Sequence, residues 1–182
     1  GVWDSRDVII DGNEVELACN DGEQESITVA STDTFEIKNN HIHHSGPGTN
    51  GGEGIDAKDG SSNGKIYNNY VHDIQAERTG IYIESWDKHT FNIEVYKNIG
   101  HDNGAGISLA SEDGGLVRNV KIYNNIVYDN QSNGLEIGNW GEPGISVRPI
   151  ENVIFVNNTV YDNGGDGWGA GMFIENPDAK NI

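Results

Sequence analysis

The sequence predicts an all-β protein in which the chain winds as a coil of short parallel strands. Asn-Asn pairs recur along the chain, a Gly-Ile-x-Ile motif recurs between them, and no segment shows the apolar spacing of a helix. The repeats follow one another at a period of about 27 residues. Repetition at such a period is typical of solenoids, in which each repeat is one turn that packs on its neighbours.

The first repeat is anchored on the last residue of each Asn pair or its equivalent. Successive anchors are 27, 29, 29, 27 and 33 residues apart. An apolar residue lies three positions before every anchor, as expected for strands that enclose a core. We interpret the Asn column as a ladder of side-chain amides along a buried turn. The anchors are Asn13, Asn40, Asn69, Asn98, Asn125 and Asn158.

Two outward columns flank the Asn ladder and read as scaffold. Residues in one column lie about 4.8 Å apart on neighbouring strands, so opposite charges can pair and aromatic rings can stack. The first column alternates in charge and the second is mostly tyrosine. They consist of Glu36, Lys65, Glu94 and Lys121, and of Lys38, Tyr67, Tyr96 and Tyr123.

Composition restricts the class of partner. The 182 residues include 29 acidic and 11 basic side chains, which give a net charge of −18. We therefore expect no nucleic acid partner, because polyanions would be repelled. We also expect no membrane insertion, because no apolar run is long enough to cross a bilayer. Cys19 is the only cysteine, so an internal disulfide is excluded. Both ends read as the middle of a repeat, and we expect a segment of a longer protein with further turns or domains.

The repeat resembles that of a known superfamily. The pattern Ile-x-Asn-Asn-x-Val-x-Asp-Asn, followed by Gly-Ile-x-Ile, is similar to the right-handed parallel β-helix of the pectate-lyase-like superfamily over essentially the whole chain. The resemblance implies an all-β, right-handed parallel β-helix (solenoid) of about six to seven rungs, as one domain over residues 1–182. It also implies an extracellular or cell-surface carbohydrate-active protein. The superfamily includes lyases, hydrolases, epimerases, adhesins and tailspikes, so the fold alone does not specify function.

Reactive side chains concentrate at the outward positions of the Gly-Ile-x-Ile strands. Asp56 and Lys58 lie on one strand, and Tyr82 and Glu84 lie on the next. Because residues i and i+2 share a face of a strand, these four side chains form one patch. The following loops add further aromatic and charged groups beside it. These are Trp86, Lys88, Trp140 and, in the long insertion NWGEPGISVRP, Arg148.

This patch has the groups that β-elimination on a uronate polymer requires. The reaction needs a cation to neutralise the carboxylate, a base to remove the adjacent proton and an acid to protonate the leaving oxygen. We predict Lys58 as the base, through a lowered pKa, Arg148 or Arg78 as the neutraliser, and Tyr82 as a further catalytic group. Asp56, Glu84, Trp86, Lys88 and Trp140 are predicted to bind an acidic polysaccharide. An exposed ion network among Asp56, Lys58 and Glu84 is the alternative interpretation.

A calcium ion is a further expectation from resemblance. The stretch GEGIDAKDG resembles the Asp-Gly-Phe-x-Ala-Lys stretch of one lineage of calcium-dependent pectate lyases, with Glu53 in place of an aspartate ligand. It implies Ca²⁺ held by Glu53, Asp56 and Glu84. The sequence departs from that lineage one rung later, where Arg-Thr-Gly-Ile-Tyr (residues 78–82) replaces an aspartate-rich stretch.

Other functions remain open at this stage. A non-catalytic carbohydrate-binding or adhesive β-helix would use its tyrosine ladder and acidic surface, and a purely structural solenoid would bind no ligand. A column of histidines, His43, His72 and His101, either binds a transition metal or forms a generic stack that continues as tyrosine at positions 128 and 161.

Overall fold

The protein is a parallel β-solenoid. A computed structural model describes residues 1–19, 24–46, 51–165 and 167–182. In these residues every complete turn contributes one strand to each of three parallel sheets, and the third sheet holds six strands. The predicted all-β class and the six to seven rungs are therefore confirmed. Within the described ranges, no helix has the length and hydropathy to cross a lipid bilayer.

The first sheet is built from the Gly-Ile-x-Ile motifs. Its strands pair in parallel in the register expected from the motif, so that Asp56 lies beside Tyr82 and Tyr82 beside Ser108. Inward residues such as Ile83 and Leu109 are fully buried. The strands are Val2–Trp3, Ile27–Ala30, Ile55–Lys58, Thr79–Ser85, Ala105–Ser111, Leu135–Ile137 and Met172–Ile174.

The second sheet carries both columns that were read as scaffold. The rings of Tyr67, Tyr96 and Tyr123 stack with centroids 4.8 and 4.9 Å apart, and Lys38 lies 5.8 Å from the centroid of Tyr67. The predicted aromatic ladder is therefore confirmed. The strands are Arg6–Asp11, Asp33–Lys38, Ser62–Tyr67, Thr90–Tyr96, Val117–Tyr123, Ile150–Val156 and Ala179–Lys180.

The third sheet is made of three-residue strands with one inward position each. That position is occupied by Ile42, Val71 and Val127 in three of the turns, all of them buried, and by Gly100 in the turn that interrupts the pattern. The outward positions are mostly rings or carboxylates. The strands are Glu14–Glu16, His41–His43, Tyr70–His72, Ile99–His101, Ile126–Tyr128 and Thr159–Tyr161.

The turn between the second and third sheets contains the predicted ladder of asparagines. Asn69 shows the pattern: its backbone N–H and its side-chain NH₂ both donate to Oδ1 of Asn98, at 2.9 and 3.0 Å. The residue before each anchor takes a left-handed backbone, with φ of 55° at Asn68 and 57° at Asn124. Asparagine tolerates this conformation better than most residues. In each Asn-Asn pair, the first residue therefore forms the turn and the second hydrogen-bonds to the neighbouring rung.

The aspartates that follow the third sheet also lie at turns. Asp73, Asp102, Asp129 and Asp162 have φ between 51° and 52°, a left-handed conformation typical of Asp in turns. Two of them also accept hydrogen bonds from the preceding ring, since His72 and His101 each place Nδ1 2.6 Å from the adjacent aspartate. The four aspartates are therefore turn residues of the scaffold.

Candidate functional site

The outward side chains of the first sheet are buried although they point away from the core. Asp56, Tyr82 and Glu84 are only 2%, 6% and 4% exposed, and Lys58 is largely covered. The alternative interpretation, an exposed ion network, is correct in pairing Asp56 with Lys58 and wrong about exposure, because these groups are buried. The chain that precedes and follows these strands rises beside the sheet and encloses the patch, so charged groups are held there with little access to water.

The enclosed space is a groove formed by two adjoining cavities of about 430 and 360 Å³. Both cavities are lined by Glu53, Arg78, Tyr82 and Glu112. The larger one also contains Lys58 and Trp86, and the smaller one contains Trp140. The carboxylates that line the larger cavity are Glu25, Glu53, Asp56, Glu84, Glu112 and Glu142.

Lys58 lies between two buried carboxylates. Its Nζ is 2.6 Å from Oε1 of Glu25 and 3.2 Å from Oδ2 of Asp56. The other oxygen of Glu25 accepts a hydrogen bond of 2.6 Å from the Thr28 hydroxyl. Burial by itself lowers the pKa of Lys58, but the charges of Asp56 and Glu25 outweigh it and raise that pKa above its ordinary value. Lys58 is thus held as an ammonium ion, whereas a basic role requires a lowered pKa.

Sequence reasoning did not identify Glu25. It precedes the strand Ile27–Ala30 and belongs to neither outward column, and it is 33 residues away from the lysine that it contacts. Its position beside Lys58 depends on the stacking of one turn on the next. The glutamate alone carries no signal in the sequence that separates it from the other acidic residues of the chain.

Tyr82 is the centre of a hydrogen-bonded trio at the boundary of the two cavities. Its hydroxyl donates to Oε1 of Glu112 at 2.5 Å and accepts a hydrogen bond of 3.0 Å from the indole N–H of Trp140. Burial, and then the negative charge of Glu112, raise the pKa of Tyr82 well above its ordinary value. The group is therefore a neutral phenol, which is the form that can donate a proton.

Two carboxylates of the groove have an oxygen without a hydrogen-bond partner among the described residues. These are Oδ1 of Asp56 and Oε2 of Glu84, and both atoms are buried. Burial raises the pKa of each group, and their mutual repulsion adds to the effect at Asp56, as the charge of Glu112 does at Glu84. Burial also raises the pKa of Glu53 and of Glu136. Unpaired buried carboxylates with raised pKa values are common at catalytic sites.

The two arginines that were considered as neutralisers have different positions. Arg78 lines both cavities, and its Nη1 lies 3.7 Å from Oε1 of Glu53. Arg148 is buried and lies outside the lining of both cavities. Its guanidinium donates to backbone carbonyl oxygens of the insertion and of the preceding turn, so it fixes the long loop that carries Trp140. These are the carbonyls of Ser111, Glu112, Trp140 and Glu142, at 2.6 to 3.1 Å.

The remaining predicted binding residues separate into two groups. Trp86 and Trp140 flank the groove and are 39% and 36% exposed, so each offers part of an aromatic face. Lys88 lies outside the lining of both cavities. Its Nζ donates to the Ser31 hydroxyl at 2.9 Å and lies 3.6 Å from Oδ2 of Asp59.

The predicted calcium ligands do not converge fully. In the part of the chain that the structure describes, Glu53, Asp56 and Glu84 are not among the groups whose ligand atoms lie within 4.8 Å of one another. Asp56 and Glu84 nevertheless offer the unpaired oxygen atoms that a hard cation prefers. The donor chemistry of these two residues fits Ca²⁺.

Comparison with known proteins identifies the family. The chain belongs to the family described as "Right handed beta helix region", which matches residues 2–148. This confirms the handedness implied by the sequence resemblance. No curated protein matches the chain.

Two solved structures share the fold. The periplasmic alginate epimerase AlgG and a point mutant of it are each 16% identical to this chain, with TM-scores of 0.56 and 0.60. The similarity covers 98% of this chain and 44% of each epimerase chain. The protein therefore spans less than half the length of these two structures.

Proposed function

We propose that the groove binds an acidic polysaccharide and cleaves it by β-elimination, as a polysaccharide lyase. The single observation that carries the proposal is the juxtaposition, on one strand, of a neutral phenol and a carboxylate with a free buried oxygen, Tyr82 and Glu84. The similarity of fold to an alginate epimerase supports a uronate polymer as substrate class. We further propose an extracellular or cell-envelope location.

In this proposal, Arg78 and Lys58 neutralise the carboxylate of the sugar unit. Both are cations that line the larger cavity, and neutralisation makes the neighbouring C–H bond more acidic. This assigns Lys58 the role of a charge rather than of a base. Arg148 positions the loop that carries Trp140, since it contacts the backbone of that loop.

The proton transfers are assigned to Glu84 and Tyr82. The Glu84 carboxylate removes the proton from the carbon beside the uronate carboxyl group, and the C–O bond to the next sugar breaks as the ring double bond forms. Tyr82 gives its phenolic proton to the departing oxygen, and the Trp140 N–H stabilises the phenolate that remains. Exchange with solvent returns the proton from Glu84 to Tyr82. A raised pKa makes Glu84 a stronger base once it is ionised.

The test is elimination activity with matched variants. Polymannuronate, polyguluronate, pectate and a neutral glucan are incubated with the protein, with Ca²⁺ or with a chelator, and the ultraviolet absorbance of the unsaturated product is followed. Tyr82→Phe is expected to lower the rate by about 10²- to 10⁴-fold, the usual contribution of acid–base catalysis. Tyr123→Phe is the control, because Tyr123 makes the same type of contact to Glu94 on the scaffold sheet. Equal rates for both variants would contradict the assignment.

Comparing activity with Ca²⁺ and with a chelator tests the proposed cofactor separately. Asp56, through its unpaired oxygen, would hold the ion and leave Glu84 as the base, and the ion would supply positive charge to a groove in which six carboxylates line one cavity. Activity that disappears with the chelator and returns with Ca²⁺ supports this cofactor. Activity that is indifferent to chelation argues against it and leaves neutralisation to Arg78 and Lys58.

A non-catalytic, carbohydrate-binding role is the second candidate. It is favoured by the partly exposed Trp86 and Trp140, which flank the groove as sugar-binding aromatics do. If no polymer yields an unsaturated product, binding of the same polymers is measured by calorimetry with wild type and Trp86→Ala. Binding that is weakened in the variant would support this role, and an absence of binding would reject both candidates.

A further inference from the structure

A second cluster of reactive side chains lies on the third sheet. It contains five of the six histidines of the sequence, and none of them lines either cavity of the groove. The predicted column is present, since the rings of His43 and His72 and those of His72 and His101 stack, and the structure adds further imidazoles and carboxylates beside it. The histidines are His41, His43, His44, His72 and His101.

The densest part of this patch is formed by two adjacent strands, Glu14–Glu16 and His41–His43. The strands pair in parallel, with Glu14 beside His41 and Glu16 beside His43. Their central residues point into the core, so the two glutamates and the two histidines share the outward face. A Glu-x-Glu strand beside a His-x-His strand thus brings four potential metal ligands into one square.

Three ligand atoms already lie close to the separation that one metal ion requires. Oε1 of Glu14 is 3.8 Å from Nδ1 of His41 and 3.4 Å from Nε2 of His43. All three ligand atoms lie within 4.8 Å of one another. Ligands about 2.1 Å from a tetrahedral metal ion are separated by about 3.4 Å. A small movement of the exposed Glu14 and His41 side chains towards the buried His43 would complete the site.

The opposite ring nitrogens are held by other histidines. Nε2 of His41 lies 2.8 Å from Nε2 of His72, and Nδ1 of His43 lies 2.7 Å from Nδ1 of His44. Metal-binding histidines characteristically use the second nitrogen in this way, which fixes the ring orientation. Because these nitrogens contact His72 and His44, the remaining ring nitrogens, Nδ1 of His41 and Nε2 of His43, are the ones near Glu14.

The charge of the patch also favours a cation. In the described residues, the ion pairs of Glu14 within 4.0 Å are with His41 and His43. These partners are imidazoles, which are charged only when protonated, so the glutamate has no permanent positive charge beside it. His72 and His101 differ from these ligands because their Nδ1 atoms are bound to aspartates of the adjacent turns.

We propose that Glu14, His41 and His43 form a binding site for a divalent transition-metal ion of the Zn²⁺, Ni²⁺ or Cu²⁺ class. Such ions bind well to two imidazoles and one carboxylate, whereas Ca²⁺ prefers oxygen ligands. Three protein ligands leave a fourth position for water or for a further side chain. The site is independent of the function proposed for the groove.

The test is calorimetric titration of the chelator-treated protein with Zn²⁺ above pH 7. We expect one equivalent to bind to the wild type, and affinity to fall by at least about tenfold in His41→Gln and in Glu14→Gln, since even indirect ligand contacts are worth that much. His89→Gln is the matched control, because His89 is the sixth histidine and lies outside the patch. Cys19→Ser removes the only thiol and is expected to bind as the wild type does.

A second measurement separates loss of the site from loss of the fold. Zn²⁺ should raise the melting temperature of the wild type, His89→Gln and Cys19→Ser, and leave that of His41→Gln unchanged, while all four melt cooperatively without metal. The proposal is rejected if the wild type binds no Zn²⁺. It is equally rejected if the His41 and Glu14 variants bind as tightly as the wild type, or if Cys19→Ser abolishes binding.

Discussion

The outward faces of the first and second sheets have the same backbone geometry and opposite electrostatics. On the second sheet, Glu36 lies 2.7 Å from Lys38 and accepts a hydrogen bond from the Tyr67 hydroxyl. These hydrogen bonds lower the pKa of Glu36. On the first sheet, Asp56 and Glu84 are buried with unpaired oxygens, and their pKa values are raised. The charged groups of the second sheet are hydrogen-bonded to one another, whereas the first sheet buries two carboxylates that each keep one oxygen without a partner.

This difference separates scaffold from candidate site more clearly than residue type does. Both faces contain Glu, Lys and Tyr in adjacent rungs, so composition alone does not distinguish them. The second sheet pairs Glu36 with Lys38 and Tyr67, and Glu94 with Lys121 and Tyr123. The first sheet buries the Asp56 and Glu84 carboxylates with one oxygen of each lacking a partner. Such burial destabilises the folded state, and a binding or catalytic role explains why it is present.

The largest expected effect concerns the buried Asn ladder that joins the rungs. Asn98→Ala removes the acceptor of the Asn69 N–H and NH₂ groups and the donor to the Ile66 carbonyl. We expect the free energy of unfolding to fall by about 4 kcal/mol, because each buried group left unpaired costs about 1–3 kcal/mol. Urea denaturation measures the change.

The exposed Asn ladder supplies the control for that experiment. Asn119 bonds to Asn92 and to Asn152 at the surface, and its φ is 55°. Asn119→Gly preserves this backbone conformation and should cost less than about 1 kcal/mol. A loss at Asn98 no larger than the loss at Asn119 would show that the buried ladder does not hold the rungs together.

The second effect concerns the buried cation of the first sheet. Lys58→Met keeps the length of the side chain and removes the charge that lies between Glu25 and Asp56. We expect a loss of about 3 kcal/mol at neutral pH, as for other broken buried ion pairs. Because the abandoned carboxylates can take up protons, the loss should shrink as the pH falls towards 4. Chemical denaturation at several pH values measures both effects, and a loss that does not depend on pH would contradict the explanation.

The third prediction is a gain in stability, at Glu84. Burial, and then the charge of Glu112, raise the folded-state pKa of Glu84, so the folded state loses stability as the pH rises from the unfolded-state pKa, about 4.3, to the folded-state pKa. Glu84→Gln should therefore be more stable than wild type at pH 7.5, by about 1 kcal/mol, because a buried polar atom without a partner costs about 1–3 kcal/mol and more when it is charged. The advantage should vanish below about pH 4, where the wild-type carboxyl is protonated in both states. Melting temperatures of the two proteins across this range provide the measurement.

The outcome for Glu84→Gln also bears on function. A variant that gains stability and loses elimination activity is what the proposed role as base requires. A variant that is less stable than wild type at neutral pH would mean that the carboxylate has a favourable partner, and the contrast between the two faces would then be wrong at this residue.

The smallest effect is expected on the scaffold face. Lys121 lies 3.9 Å from Glu94, and both side chains are substantially exposed. Lys121→Met, the same change as at Lys58, should alter the free energy of unfolding by less than about 0.5 kcal/mol, because exposed ion pairs contribute little. Denaturation with urea at pH 7.5 gives the direct comparison. Similar losses at positions 58 and 121 would remove the distinction between the two sheets.

Much of the fold could be predicted because the same short sequence motifs recur in successive turns of the solenoid. The Asn pair defines one turn, the apolar columns define the interior, and the Gly-Ile-x-Ile register places Asp56 beside Tyr82, as the structure confirms. The site was predictable only in part. The position of Asp56, Lys58, Tyr82 and Glu84 on one face followed from strand periodicity, but their burial did not.

The sequence by itself determined the coil, its three-sheet columns and the ladder that joins them, because each depends on spacing along one strand and its nearest neighbour. Only the tertiary structure decided what the loops do. It placed Glu25 against Lys58, enclosed Asp56 and Glu84, and directed Arg148 to backbone carbonyls rather than to the groove. The physical reason is that pKa and burial depend on every group that surrounds a side chain, and the loops that supply these groups follow no repeat.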